Sequence, residues 1–167
     1  MAMTRFADLP DLVLGPLAGR PDADWYRAPA GKWNAAQIVE HLSLSIHLSA
    51  LGFEERRARD PMQRRPRTLF ERAAYFLLLQ VGVFPPGFKS PSRTTPAAPV
   101  DRATAETHFR DAHTRFREVE RLLLPARATD LFVKHPRLGD LCLPEWLAFH
   151  VLHARHHTKQ IRQRVAG

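Results

Sequence analysis

The segment Pro144-Glu-Trp-Leu-Ala-Phe-His-Val-Leu-His-Ala-Arg-His-His-Thr-Lys-Gln-Ile161 places four histidines on what reads as one helix. Proline suits the first turn of a helix, and the apolar spacing predicts helix over 144–164. At 100° per residue, His150, His153 and His157 fall within about 60° of one another, with Trp146, Gln160 and Ile161 close by. His156 lies toward the edge of that stripe. Trp146 and Ile161 belong in a core, so the histidine row should face inward with them. Several imidazoles on one buried face are costly unless hydrogen-bonded or bound to an ion. A divalent metal is therefore expected. His153 supplies one nitrogen and a residue one turn on supplies the next; spacing alone admits His156 or His157.

A further ligand has to come from another helix. Asn34 followed by Gln37 is a capping box, opening a helix over 34–59 in which Ile38, His41, Leu42 and Ser45 share one stripe. His41 is the expected third ligand, since bundles build metal sites from facing helices. His47 points roughly 120° away from it, toward the surface. His108, His113 and His135 have no comparable setting.

Outside these two helices the chain is punctuated by 14 prolines. A short helix is expected over 9–18 and an irregular lead-in over 21–33. Another helix is expected over 66–81, with Leu69, Phe70, Ala73, Phe76, Leu77 and Gln80 on one face. Its apolar run Ala73-Ala-Tyr-Phe-Leu-Leu-Leu-Gln-Val-Gly-Val-Phe84 has the length of a buried helix. A long proline-rich loop spans 82–100, and long loops are often functional. Asp101 caps a helix to about residue 124, and 125–143 is irregular, with no convincing strand pair. The expected fold class is all-α: a helical bundle with one extra short helix and long connecting loops, forming a single domain over 1–167.

Composition narrows the function classes. The net charge is +8, but 21 arginines against 4 lysines are interleaved with acids. Only Arg56, Arg57, Arg59, Arg64, Arg65 and Arg67 cluster, which argues for a solvated helix end or local anion contacts over nucleic acid. No apolar run reaches the roughly 20 residues of a membrane span. The first residues do not resemble a signal peptide, so a cytoplasmic protein is expected. One cysteine, Cys142, excludes an internal disulfide.

Trp33-Asn-Ala-Ala-Gln-Ile-Val-Glu-His-Leu42 and His153-Ala-Arg-His-His-Thr-Lys-Gln-Ile161 together resemble the DinB/YfiT-like superfamily. His135-Pro-Arg-Leu-Gly-Asp140 is similar to the connection before that family's last helix, and Pro86-Gly-Phe-Lys-Ser-Pro91 to a loop in one branch. The resemblance runs from about residue 25 to the end. It departs at Asn34, where Ser or Thr is frequent, and at Leu143, where a Ser or Thr cap often opens the last helix.

The resemblance implies a four-helix bundle, often a homodimer, with one zinc or nickel ion on His41, His153 and His157. It thereby selects His157 over His156. It also implies transfer of a small-molecule thiol to an electrophilic substrate, or metal-dependent hydrolysis. Three histidines leave coordination positions open for either reaction. Hydrolysis also wants a general base. Glu40 points about 100° off the metal face and Glu145 lies two turns before His153, which favours thiol transfer. His150 is the candidate catalytic side chain, as a proton acceptor or a partner of the ligands. A metal-stabilised binding protein without turnover is the remaining class.

Overall fold

The computed structural model describes residues 4–84, 90–96 and 99–166. The 86–91 motif lies largely outside them. The helices are α1 (Leu9–Leu14), α2 (Asp22–Tyr26), α3 (Ala35–Arg56), α4 (Leu69–Tyr75), α5 (Arg102–Arg127) and α6 (Leu143–Val165). A π-helical stretch, Phe76–Val81, continues α4. The all-helical expectation therefore holds in outline. It misses one antiparallel hairpin, formed by β1 (Val133–His135) and β2 (Gly139–Leu141).

Each long helix starts where side chains satisfy its free N–H groups. Asn34 Oδ1 accepts from the Gln37 N–H at 2.9 Å, and Gln37 Oε1 accepts from the Asn34 N–H at 3.1 Å. Asp101 Oδ1 accepts from the Thr104 N–H at 2.9 Å. Leu143 is not the cap of α6. Cys142 holds that position, and Glu145 Oε2 accepts its N–H at 2.8 Å. α5 runs through Pro125 and stops at Arg127, within the turn where proline has removed a donor. The lead-in expected to be irregular contains α2, which buries Trp25.

α3 and α5 pack along their length, α6 lies against α3, and α1 with its flanking 3₁₀ turns covers α6. Phe53 sits at the centre. Its ring centroid is 5.8 Å from that of Phe116, 6.2 Å from Phe132 and 6.4 Å from Trp146. The Trp146 indole N–H donates to the Val133 carbonyl at 3.1 Å, tying α6 to the hairpin.

Four arginines of the cluster, Arg56, Arg64, Arg65 and Arg67, are internal wiring. Residues between α3 and α4 form a strap across the hairpin. The Arg65 N–H donates to Asp140 Oδ2 at 2.9 Å, and Asp140 is almost fully buried. The Arg67 guanidinium donates to the carbonyls of Leu138 and Asp140 and to Glu145 Oε1, and it lies 4.0 Å above the Tyr75 ring. Arg56 donates to the Phe132 carbonyl. Gly139 has φ +77°, and a Cβ there would press on Arg67 and Glu71. The strap thus requires glycine at this turn.

The expectation for 66–81 is inverted. Ala74 and Leu78 are buried, whereas Leu69, Phe70, Phe76, Leu77 and Val81 face outward. Helical spacing gives this segment two apolar faces, and the chain buries the narrower one.

Asp140→Ala should lower stability by about 1–3 kcal/mol, because it strips a buried acceptor from the strap. Urea unfolding would show this, and an unchanged midpoint would mean that the strap rests on Arg67 alone.

Candidate metal centre

The helix start at Asn34 sets the phase of α3 and thereby turns His41 inward. Pro144 and the Cys142 cap do the same for His153 and His157 on α6. The three side chains are at most 8% exposed. Nε2 of His153 lies 3.1 Å from Nε2 of His41 and 3.1 Å from Nε2 of His157. The potential ligand atoms of all three lie within 4.8 Å of one another. Nitrogens bound tetrahedrally at about 2.0–2.1 Å would stand roughly 3.3 Å apart. The spacing already suits such an ion.

The hydrogen bonds behind the rings fix their tautomers. His41 Nδ1 faces the Thr94 carbonyl at 2.7 Å, and a carbonyl can only accept. His41 therefore carries its proton on Nδ1 and presents a bare Nε2. Gln160 bridges two rings: its Nε2 donates to His156 Nε2 at 3.2 Å, so its Oε1 accepts from His157 Nδ1–H at 2.9 Å. His157 also presents a bare Nε2. His153 Nε2 faces both lone pairs with at most one proton to offer. The neutral cluster has more converging lone pairs than protons, the deficit a cation corrects.

The rings are also held neutral. Burial pushes His41 below its ordinary value, against the opposing pull of the Thr94 bond. Burial pushes His157 to about 3 and His153 well down, with the other imidazoles adding to the effect. Neutral imidazole is the ligand form. His41, His153 and His157 can therefore hold a metal ion.

Residues 23–164, which include all three ligands, match the model of the family described as protein of unknown function (DUF1569). The chain belongs to the DUF1569 family. No curated protein and no solved structure matches it.

Two of the three candidate ligands in this DUF1569 chain are oriented by hydrogen bonds from outside the cluster. By sequence, Gln160 and Gln37 are equally suited to orienting a ligand ring and to simple packing or capping. Gln160 serves His157, but Gln37 serves only the Asn34 cap. His41 is steered instead by Thr94, with Ser90 Oγ 3.4 Å from the same nitrogen. Thr94 ends a 3₁₀ turn (Ser92–Thr94) inside the proline-rich segment. A backbone carbonyl leaves no trace in residue identity, so only the length of that loop hinted at a role. His153 Nδ1 is buried with no partner among the described residues. Its ring is wedged instead between Phe149, at 5.2 Å, and Phe84, at 5.7 Å. Trp33 lies 5.0 Å from His41, and Phe84 also stacks on half-buried His156 at 4.7 Å.

His150, the candidate catalytic side chain, is not brought to the cluster's hydrogen bonds. Neither ring nitrogen has a partner among the described residues. The ring lies among Phe6, Phe116, Trp146 and Phe149, and burial pushes it to about 3. The hydrogen bonds of the three ligand rings reach no carboxylate among the described residues. Glu40 is turned to α5, where it pairs with His108 at 3.0 Å, and Glu145 is held by Arg67 and Tyr75. Cys142 is eleven residues before His153, about 16 Å along the axis, and burial pushes its thiol up. His47 is half-buried. His135 is buried too, and its Nδ1 accepts from the N–H groups of Arg137 and Leu138 to close the hairpin turn.

Purified wild type should retain one divalent ion per chain and His153→Ala almost none, by elemental analysis. Gln160→Leu should weaken metal affinity about 10–100-fold by freeing the His157 ring. His150 yields a separate expectation. Its folded value of about 3 lies below the unfolded value of about 6.5, so only the unfolded chain takes up its proton as pH falls below 6.5. Stability is then lost on acidification, by on the order of 2 kcal/mol at pH 5 for this residue. His150→Leu should flatten that slope between pH 7 and 5 in urea unfolding; an equally steep slope would show that His150 is not held neutral.

Proposed function

We propose that this DUF1569 chain is a DinB/YfiT-like four-helix bundle that holds one zinc or nickel ion on His41, His153 and His157. We further propose that it transfers a small-molecule thiol to an electrophilic substrate. The observation that carries the reading is the convergence of three neutral imidazoles, from two helices, with more lone pairs than protons. The motifs Trp33–Leu42 and His153–Ile161 support it, because they contain the three ligands, the α3 cap and Gln160.

Held by His41, His153 and His157, a divalent ion would supply Lewis acidity that favours the thiolate form of a thiol. The chain does the rest. Thr94 and Gln160 hold His41 and His157 in the tautomers that leave Nε2 free. Phe84, Phe149 and Trp33 pack the rings in place and keep their surroundings apolar, which strengthens electrostatic interactions there. In the transfer, the thiol's sulfur forms the new bond to the electrophile, and the thiol proton passes to the departing group, directly or through solvent. The electrophile's leaving group departs with the electrons of the bond that breaks. Among the described residues, the three candidate ligand rings hydrogen-bond to no carboxylate that could serve as the base a hydrolase wants, which is why thiol transfer is preferred.

Cobalt substitution tests this reading. Small thiols should shift the d–d bands of the cobalt-loaded protein, and the same thiols should be consumed when electrophiles are added. A spectrum indifferent to thiols, with ester or amide cleavage rising through a pKa near 7, would replace thiol transfer by hydrolysis. Indifference to both, with unfolding on metal removal, would leave a structural ion.

A further inference from the structure

The positive charge of this chain is concentrated on one pair of helices. Residues 61–100 and 141–167 contain ten of the 25 basic side chains and only two of the 17 acidic ones, Glu71 and Glu145. That excess of eight equals the net charge of the whole chain, so the remaining residues carry the two signs in equal number. The two segments lie side by side. The helix formed by α4 and its π-helical continuation runs along α6: the Tyr75 hydroxyl donates to Glu145, a Cβ on Gly82 would touch Leu152, and Phe84 stacks on His156.

Both acids on this side are already engaged. Glu71 is held by Arg65, and Glu145 by Arg67, Tyr75 and the Cys142 N–H. Arg72, Arg155, Lys159 and Arg162 are exposed and make no ion pair among the described residues. On α5, by contrast, Arg102, Arg115, Arg117, Arg121 and Arg127 each pair with a carboxylate. The free cations stand beside bare apolar surface. Leu69 is 82% exposed, Phe70 and Phe76 59% each, and Leu77, Val81 and Val83 also face outward. Arg72 is three residues from Leu69 and four from Phe76, so it shares their side of the helix. Arg155 and Lys159 follow Leu152 and His156 by three residues each, next to the π-helical end.

We propose that this face docks on an anionic lipid bilayer, with the 69–81 helix lying in the plane of the interface. Leu69, Phe70, Phe76 and Leu77 enter the boundary between headgroups and acyl chains, and the unpaired cations meet lipid phosphates. Large apolar side chains flanked by unpaired basic ones are the composition of helices that lie on membranes. The six apolar side chains offer on the order of 500 Å², the upper end of what a monomer leaves bare. Each basic side chain near an anionic surface adds about fivefold in affinity. Charge decides between occupants. An apolar groove on another protein would leave the cations unmatched, and a nucleic acid would leave the phenylalanines in water. Docking on lipid also accounts for the inverted helix, whose narrower apolar face packs into the fold and whose wider one is left for the bilayer.

The inference does not depend on the metal site or on catalysis, and it is tested on the full chain by flotation with vesicles. Wild type should float with vesicles of phosphatidylcholine and phosphatidylglycerol in equal parts and stay behind with phosphatidylcholine alone. Raising salt from about 0.05 to 0.5 M should release most of it. Phe70→Glu and Phe76→Glu should each lower binding about tenfold or more. Arg155→Gln combined with Lys159→Gln should lower it about 20-fold. Circular dichroism and metal content should stay unchanged in all of them. Leu122→Glu, at an exposed apolar position on α5, should bind as wild type does. Failure to float with the anionic vesicles overturns the proposal, and that includes a face closed by a second copy in a stable dimer. So does equal binding to both kinds of vesicle, or binding that survives the glutamate variants.

Discussion

Three imidazole nitrogens meeting in a space too small for all their lone pairs is the constraint on which this molecule is organised. Imidazole is expensive to bury, and here burial holds the rings neutral. Neutral rings with their tautomers set from behind cannot all satisfy one another. The surrounding structure has to keep them together against that mismatch. It does so with two helices capped firmly at their starts, with Thr94 and Gln160 behind two rings, and with Phe84 and Phe149 clasping the third.

The remainder of the fold steadies those two helices. α6 is anchored where it begins: Trp146 donates to β1, Glu145 closes the cap and receives Arg67 and Tyr75, and Arg67 also grips the hairpin carbonyls. Part of a strongly basic composition is thereby tied up in contacts within the molecule. Among the described residues, Arg56, Arg64, Arg65 and Arg67 each reach a carbonyl or carboxylate of the chain itself.

Several features were legible in residue order because they are local. The capping box at Asn34 and Gln37, the cap at Asp101 and the proline in the first turn of α6 depend on side chains three or four positions apart. The facing of His153 and His157 follows from helical period alone, and His41 was reached because it lies on the apolar stripe of the only other well-capped helix with an inward histidine. The hairpin was missed because its strands are three residues each and its register depends on His135 and the arginine strap rather than on alternation. The orientation of the helix over 69–81 was missed because both of its faces are apolar, and periodicity cannot choose between them.

Residue order alone therefore determined that the long helices α3, α5 and α6 form, where they start, and that a row of histidines on the last one must turn inward. Tertiary structure decided that Nε2 of His153 comes within about one tetrahedral edge of Nε2 of both His41 and His157, that a loop carbonyl at Thr94 steers His41, and that His150 is packed among aromatic rings outside the cluster's hydrogen bonds. The physical reason is range. Capping and helical phase are set by contacts within a turn. The meeting of α3, α6 and the 90–96 segment joins residues 53 and 112 positions apart, whose approach depends on how the whole core packs.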